Sequence, residues 1–577
     1  MKCSRFLSLV FLAAWTSGVV ATEPAVIERT VRVQLRDGVR LSTDLYLPAA
    51  EGRFPTLLMR TPYNKNRVQD RARRLTAFAY AVVIQDCRGR NESEGEFYAY
   101  IHEGPDGFDT QEWVGTQPWS DGKIGTFGGS YVGGVQWLAA PYGSRYVKAM
   151  APRATFSNFY HNLYLGGALR VGLIGSWCAG MTAPTPEARA KIDLNQSYLH
   201  QPLYKMDETF GWRIPMLRDW VAHTSYDDYW RQLDVEDKFP ELDLPAYHIV
   251  GYYDFFLPET IKSYKMMARL AKTEHARRNQ KMILGPWDHG TIGKRQVGEI
   301  DFGPQAMLDW DLELKRWFDR QLKGQDNGVE REPPIRYFVM GLNDWRECYR
   351  WPPQATRSVN YYLNGNAKGP TDDGGLSLTP STSDAVDTFL SDPATPIPSK
   401  GGRGVAPSVV GDWGPWDQRG IEALPNVLVY TSPPLAHDLE VVGPVTATLF
   451  LATDARDTDL AIKLVDVFPD GYALNVATGI LRGRYRNSLE APELLTPGKL
   501  LKWHVNLTHV SNRFKAGHRI RLDVTGSNFP LYDRNPNTGG GIDDVGTFVA
   551  TQKLYHSAAY PSHVTLPVST AYSSEVE

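Results

Sequence analysis

A serine wedged between glycines is the residue of this chain best suited to attack a carbonyl. It lies in the run Gly-Thr-Phe-Gly-Gly-Ser-Tyr-Val-Gly-Gly, residues 125–134, where an apolar stretch stops at Ser130. A small-residue, apolar segment beginning at Val135 comes immediately after. A strand that turns sharply into a helix exposes the side chain at the turn, and flanking glycines let the backbone double back without a Cβ clash. That geometry makes Ser130 a candidate nucleophile. Gly128 stands two residues before the serine, but Val132 stands two after it and the next glycine is Gly133, so the spacing departs from the usual Gly-x-Ser-x-Gly. The same residues also suit an ordinary strand-to-helix turn with a satisfied hydroxyl. Two strand ends further along the chain separate these readings.

A serine nucleophile needs a base, and the base needs an orienting acid. Pro245-Ala-Tyr-His-Ile-Val-Gly-Tyr-Tyr runs into Asp254, and Gln280-Lys-Met-Ile-Leu-Gly-Pro-Trp-Asp runs into His289. Each is an apolar strand core ending in a titratable group, which places a rigid support beneath an exposed side chain. The order Ser, Asp, His, each after a parallel strand, is that of the α/β-hydrolases. In this reading His289 takes the Ser130 proton during attack and returns it to the leaving group, while Asp254 holds the imidazole tautomer. Asp288 adjoins His289, but sequence neighbours rarely face each other, so Asp254 is the better partner. His248, inside an apolar strand, reads as core. His161, His200 and His223 fall in a region expected to form a cap and at most touch substrate.

A tetrahedral intermediate needs donors for its oxyanion. The backbone N–H of Tyr131, next to the nucleophile, is one. A strand over 54–61 ends in a loop carrying Tyr63, whose hydroxyl is a candidate second donor, although by spacing alone it reads as a surface turn tyrosine.

Arg60-Thr-Pro-Tyr-Asn-Lys, Gln85-Asp-Cys-Arg-Gly, Gly128-Gly-Ser-Tyr-Val-Gly, Gly251-Tyr-Tyr-Asp, Gly285-Pro-Trp-Asp-His-Gly and Asp533-Arg-Asn-Pro-Asn-Thr-Gly span nearly the whole chain. Together they resemble the cocaine-esterase-type (CocE/NonD) acyl hydrolases, whose clan also holds α-amino acid ester hydrolases, glutaryl acylases and X-Pro dipeptidyl peptidases. The resemblance implies the glycine three beyond the serine and an oxyanion role for Tyr63. It also implies a C-terminal jelly roll packed on the catalytic domain. One departure is informative. α-Amino acid ester hydrolases grip the substrate ammonium with acids, two of them two and three residues after the triad aspartate. Here those positions are Phe256 and Leu257, and the region of the third, near Leu163 and Tyr164, is not acidic either. An ammonium facing Phe and Leu is poorly compensated, so no free α-amine should be required. A Glu259 or Asp207 folding in from elsewhere is the arrangement that would reverse this.

Patterning indicates the scaffold that carries these residues. Residues 28–48 alternate as an antiparallel entry to a sheet, and strand-helix-strand alternation then implies a mostly parallel sheet flanked by helices. Aromatic-rich segments over 155–240 read as short cap helices, with Trp177, Phe210, Trp212 and Phe256 as candidate substrate contacts. Alternation after about 335, the hairpin signal Pro469-Asp-Gly471 and scarce helical periodicity read as a β-sandwich. Residues 366–420 are rich in Gly, Pro, Ser and Asp and are expected to form long loops. The expected layout is a signal peptide over 1–21, a hydrolase domain over 22–154 and 241–330 with a cap at 155–240, and a jelly roll over 331–577.

The chain has 577 residues, 42% hydrophobic and 12% aromatic, enough for about three domains with sizeable cores. A net charge of −3 offers no electrostatic case for nucleic acid or an anionic membrane. Lys2 and Arg5 precede an apolar core, and Val19-Val-Ala21 offers a cleavage site, so the expected location is secreted or periplasmic. Cys87, Cys178 and Cys348 remain after cleavage, an odd number without metal-type spacing, and read as mostly buried free thiols. No metal or cofactor is expected.

The leading expectation is a serine hydrolase cleaving a small-molecule ester or amide through an acyl-enzyme; a homo-oligomer is compatible with it. The alternatives are an X-Pro dipeptidyl peptidase, a glutaryl-type acylase in which Arg153 or Arg170 seats a distal carboxylate rather than forming a salt bridge, and a non-catalytic binding protein on a hydrolase scaffold. A decayed scaffold would be free to lose a competent residue, and here every presumed catalytic position is filled.

Overall fold

Alternating apolar positions in Ile27–Gln34 (β1) and Arg40–Leu47 (β2) pair them antiparallel, through a turn at Asp37-Gly38 where Gly38 takes φ 88°. The computed structural model describes residues 27–49, 51–367, 373–404 and 413–572, so the expected signal peptide lies outside the described residues. After this entry come β3 (Phe54–Thr61), β4 (Ala81–Asp86), β5 (Ser120–Gly129), β6 (Val147–Arg153), β7 (Ala246–Tyr253) and β8 (Gln280–Asp288). These six run parallel to their neighbours, while β2 lies antiparallel to β4. In β4, β7 and β8 every residue is buried, the consequence of continuous apolar runs in a sheet covered on both faces.

The sheet does not stop where expected. β9 (Ile335–Val339) adds parallel to β8 and β10 (Asp344–Cys348) closes the edge antiparallel, giving the order β1-β2-β4-β3-β5-β6-β7-β8-β9-β10. The boundary expected at 331 therefore precedes the last two strands of the first sheet. Their short alternating patterns look like those of the β-rich region beyond, and only pairing with Met282–Leu284 assigns them here.

Helices α1 (Gln69–Thr76), α2 (Glu103–Gly115) and α3 (Tyr131–Ala139) connect the early strands. The cap contributes α4 (Phe159–Leu163), α5 (Val171–Thr182) and α6 (Pro215–Ala222), and α7 (Leu257–Leu270) and α8 (Trp310–Gln321) return to the sheet. Trp317 of α8 donates its indole N–H to Met150 O of β6 at 3.1 Å, locking that helix to the centre of the sheet.

Among the described residues, the C-terminal part is an all-β unit built on a sheet of eleven strands. Its longest pair, Leu439–Thr453 with Leu501–Phe514, turns alternate residues (Val445, Ala447, Leu449, Leu451) into a separate core with Trp503, Val505 and Leu507. The hairpin signal is met: Asp459–Val467 and Ala473–Arg482 pair across Pro469-Asp-Gly471, with Gly471 at φ 87°. The segment 366–420 is less loop-like than expected, because it contains the strands Gly374–Ser377 and Ala385–Ser391. Ala385–Ser391 pairs with Ala550–His556, a partner so distant in the chain that local composition conceals it.

Candidate active site

The parallel strands deliver four of the singled-out residues to one edge of the sheet: Tyr63 after β3, Ser130 after β5, Asp254 after β7 and His289 after β8. Ser130 sits at φ 60°, ψ −130°, outside the regions comfortable for a non-glycine residue. Such a conformation costs on the order of 1–3 kcal/mol and persists only where its surroundings enforce it. Here they do. The Ser130 N–H donates to Arg153 O and Ala154 O, both at 3.0 Å, and its carbonyl accepts from Gly133 N, Gly134 N and Thr155 Oγ1. Gly128, at φ 135°, would carry a Cβ 2.2 Å from Val132 Cγ1. A Cβ on Gly133 would lie 2.6 Å from Thr155 Cβ, so the unusual glycine spacing follows from the close approach of α3 to the segment after β6.

Asp254 is fully buried; its Oδ2 lies 2.9 Å from His289 Nδ1 and its Oδ1 accepts from Phe256 N at 2.9 Å. With Nδ1 engaged by the carboxylate, Nε2 is the ring nitrogen left to exchange a proton. The hydrogen bonds among the described residues do not include one from Ser130 Oγ to His289 Nε2; such contacts are often long in the absence of substrate. The rings of Phe255, Phe256 and Trp413 pack 4.6, 5.5 and 6.2 Å from the His289 ring, so a loop of the C-terminal unit helps enclose the imidazole. Asp288 turns away, accepting from Gly290 N within its own loop, and burial pushes its carboxyl up.

The Tyr63 hydroxyl accepts from Trp177 Nε1 at 3.1 Å, Tyr63 and Ser130 line one pocket, and burial pushes the phenol up. Tyr131 opens α3, so its N–H is among those a helix start leaves unpaired. Its side chain does something else: the hydroxyl donates to Glu103 Oε1 at 2.7 Å and accepts from Tyr100 N, and the ring stacks on Tyr100 at 4.1 Å. Glu103 in turn pairs with buried Arg60 at 2.8 Å. Sequence reasoning missed this anchor, although Arg60 opens one of the recognised motifs.

A small pocket, about 40 Å³, opens beside Ser130 and Tyr63. Trp177 and Phe256, two of the candidate substrate contacts, line it. Phe210 and Trp212 do not: they pack on each other at 5.9 Å, and Trp212 donates to Thr182 Oγ1 at the far end of α5. The wall comes instead from Phe159, Asn162 and Leu163 of α4, with Trp220 of α6 and Phe255. The spacing i, i+3, i+4 in α4 puts these three on one helix face, a signal present in the sequence but hidden by the shortness of the helix.

The remaining candidates have other partners. Glu259 and Asp207 do not line the pocket; Asp207 accepts from Ile214 N and pairs with Arg218. The expected salt bridges of Arg153 and Arg170 do not form among the described residues. Arg153 lies over the Trp310 ring, and Arg170 donates through Nε and Nη1 to the backbone carbonyls of Asn162 and Arg403, while its buried Nη2 has no hydrogen-bond partner among the described residues. His248 is buried as expected, and burial lowers it to about 4. His161, Glu236 and Glu259 bring three ligand-type atoms within 4.8 Å of one another, but Lys262 Nζ lies 2.7 Å from Glu236 and 3.1 Å from His161, so an ammonium already supplies positive charge there. Cys87 and Cys178 are buried free thiols, and burial pushes both up, as it does partly buried Cys348.

Residues 37–291 match the family model described as X-Pro dipeptidyl-peptidase (S15 family), and residues 327–565 match the X-Pro dipeptidyl-peptidase C-terminal non-catalytic domain. A cocaine esterase from Rhodococcus sp. (strain MB1 Bresler) is 36% identical, over 94% of this chain and 98% of that protein. Among solved structures, an aminopeptidase from a marine sediment archaeon, Thaumarchaeota archaeon, superposes with a TM-score of 0.80 at 27% identity, covering 98% of this chain and 99% of that one. An α-amino acid ester hydrolase superposes with a TM-score of 0.79 at 26% identity, covering 97% and 98%.

Proposed function

Because the chain belongs to the cocaine-esterase family of serine hydrolases, we propose that it cleaves the acyl–oxygen bond of a small ester through Ser130, His289 and Asp254. The observation that carries this reading is the 2.9 Å contact of buried Asp254 with His289 Nδ1, at the same strand edge where Ser130 is held in a strained turn. Ser130 Oγ attacks the carbonyl carbon as His289 Nε2 takes its proton; the tetrahedral oxyanion accepts from the Tyr63 hydroxyl and the Tyr131 N–H. Collapse expels the alcohol, protonated by His289, and water repeats the sequence to release the acid. Asp254 fixes the tautomer and stabilises the imidazolium. Ester is favoured over N-terminal peptide because the lining residues of the pocket include no carboxylate to receive an ammonium. The peptidase reading stays in play through the family model matched over residues 37–291. Export, with maturation after Ala21, is part of the proposal and rests on the basic-then-apolar start of the chain; N-terminal sequencing of the exported protein checks it.

The test pairs the purified protein with Ser130→Ala on nitrophenyl acetate, butyrate and benzoate and on a Gly-Pro anilide. Ester cleavage lost in the variant, with the anilide untouched, is the expected result. Full ester cleavage by Ser130→Ala overturns the assignment of the nucleophile. Serine-dependent release from the anilide installs the peptidase reading.

A further inference from the structure

Asn162 is 2% exposed and its Oδ1 has no hydrogen-bond partner, yet it stands in the wall of the pocket that also holds Ser130. A buried, unpaired carboxamide is costly, and in a folded protein it calls for an explanation. Loose packing does not supply one. Asn158 caps α4 by accepting from His161 N, and Asn158 Nδ2 donates to Asp234 Oδ2 at 2.7 Å. The buried Arg170 guanidinium donates to Asn162 O at 2.9 Å, and Arg170 N donates to Leu163 O at 2.9 Å. The backbone is thus fastened on both sides of a side chain whose own acceptor is left open. Its neighbours in the wall are apolar or aromatic: Phe159, Leu163, Leu173, Ile174 and Phe256.

From this juxtaposition we infer that Asn162 is a specificity-determining residue, and that the acyl group this pocket takes is an apolar body bearing one uncharged hydroxyl. A hydroxyl both donates and accepts, matching a carboxamide, which offers an acceptor and a donor in one plane. An ammonium would meet only a neutral dipole among apolar walls, and a carboxylate would find no cation lining the pocket. A purely apolar acyl group leaves the amide unpaired, and sites built to bond a polar substituent discriminate against analogues that lack it. This inference rests on the proposed esterase activity and deepens it.

The experiment uses the full chain and five methyl esters followed by titration of released acid: phenylacetate, its three ring-hydroxylated isomers, and mandelate. The wild type is expected to favour at least one hydroxylated ester over phenylacetate by roughly tenfold or more in kcat/KM, the scale of one buried hydrogen bond. Asn162→Leu should abolish that preference, lowering the ratio of kcat/KM for the preferred hydroxylated ester over phenylacetate by roughly tenfold. It should also melt no lower than the wild type, because a similar-sized apolar side chain removes an unsatisfied group; a purely structural Asn162 predicts a lower melting temperature. Asn162→Ala supplies the same comparison if leucine does not fit. No preference for any hydroxylated ester in the wild type, or a preference that survives in both variants, overturns the inference while leaving serine-dependent ester cleavage intact. Cleavage of none of the esters removes the esterase reading, and the inference with it.

Discussion

The indole N–H of Trp177 donates to the Tyr63 hydroxyl at 3.1 Å, in the wall of the pocket that also holds Ser130. With its acceptor side held by the indole, the phenol proton is directed toward the oxygen that develops charge during attack. Tyr63→Phe should therefore lower kcat by about 10²–10³ with little change in KM, the loss typical of an oxyanion donor. Trp177→Phe keeps the ring but frees the phenol, and a smaller fall in kcat is expected. Steady-state kinetics on one ester decide both. A Tyr63→Phe effect confined to KM would reassign the residue to binding.

Asp254 reaches His289 only through Nδ1, so its role is to select a tautomer. Asp254→Asn should leave the fold in place and reduce kcat by about 10⁴ at neutral pH, since an amide can favour the wrong tautomer. A circular dichroism melt within a few degrees of the wild type, together with that rate loss, is the expected pair of results. A rate within tenfold of the wild type would point to another acid.

Gly133 faces Thr155 so closely that a methyl group would have to displace it. Gly133→Ala should destabilise the chain by about 1–3 kcal/mol, the usual range for overpacking. Because Thr155 Oγ1 also holds the Ser130 carbonyl at 2.8 Å, activity should fall more than stability alone explains. Denaturant midpoints beside kcat, both measured well below the transition, check this.

Burial raises the Glu259 carboxyl from 4.5 to about 8, against the opposing attraction of Lys262. The native state then keeps a proton that the unfolded chain loses. The stabilisation is fully present below about pH 4.5 and is lost as pH rises toward 8. Glu259→Gln cannot ionise, so its stability should fall less than that of the wild type between pH 5 and 8. Urea unfolding of both proteins across that window measures the difference. Parallel curves would mean that Glu259 is ionised in the fold.

Much of the candidate site was readable in the sequence because it sits at the ends of strands. A parallel strand is a continuous apolar run, and the residue after it must emerge at the sheet edge. Ser130, Asp254 and His289 could be named from local pattern for that reason, and the family motifs added Tyr63. Of the four candidate substrate contacts, Trp177 and Phe256 line the pocket, whereas Phe210 and Trp212 do not. Aromatic content marks a cap but carries no information about which way each short helix faces.

The chain alone carried the identity and order of the candidate site residues at the strand ends, the succession of a mostly parallel sheet, a cap and a β-rich unit, and the hairpin at Gly471. Everything else came from tertiary contacts. They gave Ile335–Val339 and Asp344–Cys348 to the first sheet through pairing with a distant strand. They set Gly133 against Thr155, and they turned Asn162 into the pocket with its carboxamide unpaired. Periodicity and capping act over a few residues and are written locally, whereas pairing, close packing and polar satisfaction depend on partners that folding alone brings together.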